Sequence, residues 1–420
     1  MGACPTDISV SGALDLILAA AQPLPTQRLE LAEAVGHVLA EDILADSDYP
    51  PFDRARMDGF AVRTQDVPHA PAELVIVEEI LAGRMPQHAL DAGQASRTNT
   101  GAPMPAGADA VVPIEQTIVS EDSRRVTILE APRVNQHTEK RGSIQSEGRR
   151  VMRARTCVGA AQVAVVATAG ATTVEVFRRP TVSVLVTGSE LIAPHHRPAG
   201  PQIRDTNGIS LQALCEAAGC TVQCREHVID EPQPLLEAIR RGLSGDLLIL
   251  SGGVSAGQMD LVPGLLAEAG VKPVFQKVRV RPGRPVQYGR AENGAHVFAL
   301  PGNPVSCLVC FWLFVRPLIQ RLSGFEHCLP STLTARSTGF MPAAGDRESY
   351  WPARARSRVG GSVWADPLPW RGSGDPFPFG EANALIRQEP HGRDVRRGET
   401  ITILPLELLL SSPHAGDSGP

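Results

Sequence analysis

The chain has 420 residues, so two to four domains are expected. Its formal net charge of −5 argues against a nucleic-acid partner held by general basicity. Apolar residues make up 43% but aromatics only 4%, so sizeable cores resting on Ala, Val and Leu are expected.

Residues 8–45 read as helical, in two pieces: ISVSGALDLILAAA and QRLELAEAVGHVLAEDI. In the second, Leu29, Ala32, Val35, Leu39 and Ile43 fall near helical spacing. Residues 46–62 are a turn-rich connector in which Pro50 and Pro51 exclude a regular helix. From 62 to 140 short apolar runs (ELVIVEEI, ADAVVPIEQT, RRVTILEAP) alternate with Gly/Pro turns, which predicts a small β-rich module. VGAAQVAVVATAG then predicts a helix and TTVEVF a strand, returning the chain to the first module. Residues 180–323 alternate strand and helix, the pattern of a doubly wound α/β sheet. Residues 328–408 return to β patterning, and the polar tail is expected to be disordered. The fold class is therefore multidomain α/β. The expected domains are 1–45 plus 146–179 (helical or linker), 46–145 (inserted β-rich), 180–327 (α/β), 328–410 (C-terminal β) and 411–420 (tail).

No signal peptide is read, and VSCLVCFWLFVRPLI is short for a membrane span and interrupted by Arg316. The eight cysteines sit in apolar contexts, including the C-x-x-C of Cys307 and Cys310. Reduced, buried thiols in a cytoplasmic protein are expected.

Three apolar strands of the α/β unit break into small-residue turns: LVTGSE, LILSGGVS and ALPGNPVS. Ligands of such sheets bind at the carboxyl ends of strands, where small residues admit close backbone approach to an anion. Thr187, Gly188 and Ser189 close the first strand. Glu190 follows, either a metal or ligand contact or a surface carboxylate. Asp205 and Asn207 precede a helix, where capping and ligand contact are both open. Ser251, Gly252, Gly253 and Ser255 form a Gly/Ser cradle without the lysine of a P-loop, which disfavours an NTPase. Asp260, just beyond, forms with Glu190 a candidate Mg²⁺ pair. Lys277, Arg279 and Arg281 alternate, so one strand face is cationic, and Arg284 follows. Arginine forks suit tetrahedral oxyanions, although a solvated basic edge strand would look the same. Pro301, Gly302 and Asn303 make a rigid turn that exposes Ser306 at a helix start. No nucleophilic triad pattern appears, so electrostatic and metal-assisted chemistry is expected.

Together these motifs resemble the molybdopterin molybdenumtransferase family, which includes the bacterial MoeA-type enzymes and the carboxy-terminal domain of gephyrin. PFDRARMDGFAV and NTGAPMPAGADAVVPIEQT carry the likeness beyond the α/β unit. The resemblance implies a four-domain, elongated homodimer with its site between the α/β domain of one subunit and the inserted domain of the other. It implies that adenylylated molybdopterin and molybdate react with Mg²⁺ to give molybdenum cofactor and AMP. By position it assigns Asp58 and Thr100 to the inserted domain's contribution, Asp230, Lys277 and Arg281 to catalysis, and Glu190 and Asp260 to the metal. An oxyanion role falls to Arg284 and Ser306. Molybdoenzymes or other cofactor-biosynthesis proteins are the implied partners, with no nucleic acid and no membrane.

The chain departs from the family where Gly142, Ser143, Ile144 and Gln145 stand for glycine–glutamate–aspartate–isoleucine. Ser189 replaces a favoured aspartate, and two lysines of the basic run are arginines. The missing acidic pair leaves two alternatives open: a non-catalytic cofactor carrier or scaffold, and a tungstate-inserting variant.

Overall fold

The computed structural model describes residues 4–253, 261–358 and 360–406. The chain folds as two compact units. One is built from the chain up to Gln27, Gly36–Ala40 and the chain from Glu175 on; the other from Arg28–Val35 and Glu41–Val174.

The first unit centres on a seven-stranded sheet. Its strands are β1 (Thr6–Ile8), β2 (Thr181–Thr187), β3 (Thr221–Val228), β4 (Leu247–Ser251), β5 (Val271–Val278), β6 (Gln287–Ala291) and β7 (His296–Leu300), in the order β1-β5-β6-β7-β4-β2-β3. β3, β2, β4 and β7 run parallel, whereas β6 is antiparallel to both β7 and β5. The sheet is thus mixed at one side rather than parallel throughout. β4 (LLILS) and β7 (HVFAL) are buried at every position, as central strands covered on both faces must be, whereas β3 alternates because it is an edge.

Helices α1 (Val10–Ala20), α2 (Asn207–Ala217), α3 (Pro232–Gly242), α4 (Val262–Glu268), α5 (Pro304–Cys310) and α6 (Arg316–Leu322) cover both faces. Alternation along the strands sorts the side chains. Val182, Val184, Leu247 and Ile249 join the core under α1, α2, α5 and α6. Leu185, Leu248 and Leu250 join the one under α3 and α4. Each fully buried Leu or Ile contributes about 1.5–3 kcal/mol. Ser9 caps α1 by accepting from Gly12 N at 3.0 Å. Between α5 and α6 a π-helical turn spans Phe311–Val315, just before Pro317, whose missing N–H interrupts the regular ladder. The whole run Pro304–Leu322 is 19 residues long, so length does not rule out a span as the sequence suggested. It is instead mostly buried in the protein core, with Arg316 stacked 5.2 Å from the Trp312 ring.

Val280–Arg281 leaves the α/β sheet and pairs in parallel with Glu348–Ser357. That strand belongs to a second sheet with Val363–Pro367, Leu333–Ser337, Thr400–Pro405 and Ala384–Gln388, closed by pairing of Glu348–Ser357 with Ala384–Gln388. The strands at 363–367 and 384–388 were not read from sequence.

The second unit carries a six-stranded sheet: Ala110–Pro113, Gly59–Val62, Gln94–Thr98, Ala72–Ile80, Arg125–Ile128 and Thr117–Val119. The expected helix over 27–43 is absent. Thr26–Glu30 is a strand paired with Thr173–Phe177, and turns follow to Gly36, whose φ of +83° ends any helical path. The connector 46–62 likewise holds two strands, Arg54–Ala55 and Gly59–Val62. Gly59 is required by close approach, since a Cβ there would meet Val112 O at 2.0 Å. Ile43–Leu44 pairs with Arg150–Met152, so the chain between them leaves and returns at one place. The helix read near 160 spans Ala160–Thr168.

Candidate functional site

A cleft of about 1330 Å³ opens at the carboxyl ends of β2, β4 and β7. The turn after each strand lines it: Thr187, Gly188, Ser189 and Glu190; Ser251, Gly252 and Gly253; Pro301, Gly302 and Asn303. Asp205, Asn207 and Asp230 line it too. The predicted strand-end residues therefore converge.

Glycine is needed here for approach as well as conformation. Gly252 has φ +102°, and a Cβ on it would meet Thr187 O at 2.3 Å. Asn207, at the start of α2, braces the floor. Its Nδ2 donates to Ser251 Oγ at 2.8 Å and to Gly302 O at 2.7 Å, tying two strand ends together. Its Oδ1 is buried without a partner among the described residues. Asp205 settles its open alternative in part, accepting from Gly208 N at 2.8 Å as a helix-start cap while also lining the cleft. Arg225 stands 3.6 Å from the other oxygen of Asp205.

Asp230 does not cap α3. It accepts from Ser189 N at 3.1 Å and from the Thr187 hydroxyl, so it pins the turn that presents Glu190. His227 Nε2 lies 2.8 Å from Gly188 O and pins the same turn. The Glu190 carboxylate has no hydrogen-bond or ion-pair partner among the described residues. Ser251 Oγ lies 3.8 Å from Cys307 Sγ, but burial pushes that thiol up to about 12, so it is no nucleophile. None of the eight cysteines forms a disulfide among the described residues, and Cys157, contrary to expectation, is exposed. Ser255 and Asp260 lie outside the described residues.

A second pocket, about 380 Å³, shares Pro285, Pro301 and Asn303 with the cleft as a common wall. It gathers Arg281, Arg284 and Ser306, as the sequence suggested, and adds Arg347, Trp370 and Ser373. Arg284 Nε is 3.0 Å from Asp7 Oδ1, and Asn303 Nδ2 donates to Ser373 Oγ at 3.0 Å. Lys277, Arg279 and Arg281 are all exposed, with Val278 and Val280 buried between them. Lys277 lies in β5, which is internal to its sheet, whereas Arg281 lies in Val280–Arg281, the end strand of the second sheet, and only Arg281 of the three lines the pocket. Arg347, Trp370 and Ser373 were missed because they come from the last sheet. The Gly372–Ser373–Gly374 turn was the available signal, since it repeats the small-residue character of the others.

In the second unit Thr100 N donates to Asp58 Oδ1 at 2.6 Å. That bond and the Thr100 hydroxyl hold the Asp58 carboxyl below its usual range. The departing loop is tied down by its backbone: Tyr49 N donates to Gln145 O at 2.7 Å, and Gln145 N to Tyr49 O at 3.0 Å. Ile144 is left 54% exposed. Among the described residues no group of three or more His, Cys, Asp or Glu side chains is placed to hold a metal alone.

A largely parallel α/β sheet whose strand-end turns line a cleft beside an arginine pocket is the arrangement of a protein that binds small ligands. The chain belongs to the molybdopterin molybdenumtransferase family, a family of transferases. Residues 8–170 match the MoeA N-terminal region (domains I and II), 183–321 the probable molybdopterin binding domain, and 334–406 the MoeA C-terminal region (domain IV). Molybdopterin molybdenumtransferase of Staphylococcus epidermidis is 32% identical over 407 residues, 96% of each chain. That of a Nostoc species is 36% identical over 333 residues, 77% of this chain and 76% of the relative. The crystal structure of the molybdopterin biosynthesis moeA protein from Pyrococcus horikoshii OT3 is 28% identical, covers 95% of this chain and 100% of its own, and superposes with a TM-score of 0.81.

Proposed function

We propose that this chain inserts molybdate into adenylylated molybdopterin, giving molybdenum cofactor and AMP. The observation that carries this reading is the shared wall. A cleft large enough for a nucleotide-linked pterin adjoins an arginine pocket sized for a small oxyanion. The strand-end turns around Gly188, Ser251, Gly252, Gly253 and Gly302 receive the phosphate-bearing ligand through backbone donors. Arg281, Arg284 and Ser306 hold the oxyanion. Asp230 keeps the turn before Glu190 in place, and Lys277 adds positive charge on the approach to Arg281. Asp58 and Thr100 are the second unit's contribution to catalysis.

Mg²⁺ fits the donor set. Glu190 offers an unpaired carboxylate at the cleft, and this ion is usually held by one or two carboxylates together with ligand phosphates. Asp260 is the second carboxylate in this reading. When bound, the ion neutralises charge on the phosphate. A cytoplasmic homodimer that passes its product to a molybdoenzyme or another cofactor-biosynthesis protein completes the proposal.

The test compares wild type with Glu190→Gln and Arg281→Ala in AMP release from adenylylated molybdopterin. Both variants are expected to lose at least about tenfold in rate. Full activity in both would refute the roles of Glu190 and Arg281. Exposed Ile144, in place of a carboxylate, favours a second reading as a carrier or scaffold; tight binding without turnover in wild type would support it. A tungstate preference in the same assay would mark the chain as a variant inserting that oxyanion.

A further inference from the structure

Of the three arginines lining the smaller pocket, Arg284 alone is met by a carboxylate from a distant part of the chain. Its Nε stands 3.0 Å from Asp7 Oδ1, across 277 positions of sequence. Arg347 meets only its chain neighbour Asp346, at 3.5 Å, and Arg281 has no carboxylate partner among the described residues. The pairing is built by the end of β5. Thr6 lies opposite Gln276 and Ile8 opposite Val278, and Arg279 N donates to Ile8 O at 2.7 Å. Val278 N in turn donates to Arg284 O at 2.9 Å, so one strand end holds both partners. Asp7 has φ +56°, a left-handed backbone that Asp and Asn tolerate better than other residues with a side chain. The Arg284 and Asp7 side chains remain 52% and 41% exposed, so the pair contributes little to stability.

We propose that Asp7 is a built-in counter-charge of this pocket, which shares Arg284 with the bound oxyanion and lowers the affinity for it. This rests on reading the pocket as the oxyanion site. Three guanidinium groups around one dianion hold it tightly before any reaction. Ground-state binding of that strength does not speed the step that consumes the anion. The Asp7 carboxylate occupies one edge of Arg284 and offsets part of the arginine field. Its repulsion grows with the charge of the ligand. Asp7 therefore acts more strongly on a tetrahedral dianion than on a monoanion of the same shape, and so sets the charge preference of the pocket.

The experiment titrates the full chain with molybdate, then with perrhenate, a tetrahedral monoanion, by calorimetry at low salt. Asp7→Asn suits the left-handed backbone, and its Oδ1 can still accept from Arg284 Nε, so the change removes the charge alone. It is expected to bind molybdate about fivefold and perrhenate about twofold more tightly, a gain that shrinks as salt is raised. A gain in affinity cannot come from a folding defect. Unchanged or weaker molybdate binding in Asp7→Asn overturns the proposal, and so does an equal gain for both anions. Asp7→Gly also suits this backbone and removes the acceptor as well. It is expected to tighten molybdate binding too; weaker binding there would make Asp7 an orienting group for Arg284 and overturn its role as counter-charge. In AMP release, KM for molybdate should fall in Asp7→Asn with no rise in kcat, whereas a higher kcat at wild-type KM overturns the proposal. Arg281→Ala separates the two levels of the argument. If it loses molybdate binding and Asp7→Asn is unchanged, the pocket stands and the Asp7 role falls. If wild type binds no molybdate, or Arg281→Ala is not weakened, the pocket reading fails and takes the Asp7 role with it.

Discussion

Replacing Asn207 tests how the cleft floor is held. Asn207→Ala removes two bonds, of 2.8 and 2.7 Å, to Ser251 Oγ and Gly302 O. Each lost bond costs about 1 kcal/mol, roughly 2 together. The change also deletes the buried, unpartnered Oδ1, which returns about 1 kcal/mol. The net destabilisation is therefore only about 1–2 kcal/mol, and the first unit's melting temperature should fall by about 2–6 °C. Asn207→Asp is nearly isosteric yet should be worse. It supplies no donor and sets a carboxylate against the Gly302 carbonyl, costing about 3 kcal/mol. The expected order of stability is Asn, Ala, Asp, measured by thermal unfolding of the three proteins at pH 7. Substrate affinity should fall in the same order, because the Ser251 and Gly302 turns lose their common tether. An aspartate variant as stable as wild type would refute the bracing role.

Three further outcomes are expected. His296 accepts from Arg290 at Nε2 (2.9 Å), so in its neutral form the proton sits on Nδ1, facing the Tyr288 hydroxyl at 2.7 Å. Burial and then the Arg290 charge push its pKa down to about 3 from an ordinary 6.5, against a small opposing pull from Asp246. The native state therefore resists protonation: this contribution is intact above pH 6.5 and is lost as pH falls towards 3, reaching about 2 kcal/mol by pH 5. Urea unfolding from pH 7 to 5 should show a shallower loss in His296→Gln than in wild type; parallel slopes would contradict it. Ile144→Asp should leave the melting temperature within about 2 °C, since Ile144 is exposed, and should raise AMP release if the missing carboxylate is a defect. An unchanged rate would mean the loop is compensated elsewhere. Asp58→Asn should fold normally, because its Oδ1 can still accept from Thr100 N, yet slow AMP release; a wild-type rate would remove Asp58 from the machinery.

The cleft was legible because its residues sit in short segments joining a strand end to a helix start. There, apolar runs ending in Gly and Ser are local signals, and the sheet brings Thr187, Ser251 and Pro301 together. The arginine pocket was half legible. Ser306 follows such a segment, and Arg281 and Arg284 stand in a local basic run between two strands, but Arg347 and Trp370 arrive through pairing of Val280–Arg281 with Glu348–Ser357, a contact between segments nearly seventy residues apart. His227 and Asp7 carried no motif at all, since each acts through one bond. The false helix at 27–43 shows the converse. Leu29 and Ala32 have helical spacing, but pairing with Thr173–Phe177 and the turn at Gly36 override it. Strands at 59–62 and 94–98 were hidden because GFAV and QASRT are short and do not alternate clearly.

The central claim is insertion of molybdate by this chain, and AMP release from adenylylated molybdopterin in Mg²⁺ buffer, with and without molybdate, tests it most directly. The account predicts AMP release that depends on molybdate. Tight binding of adenylylated molybdopterin with no AMP released when molybdate is added would contradict it.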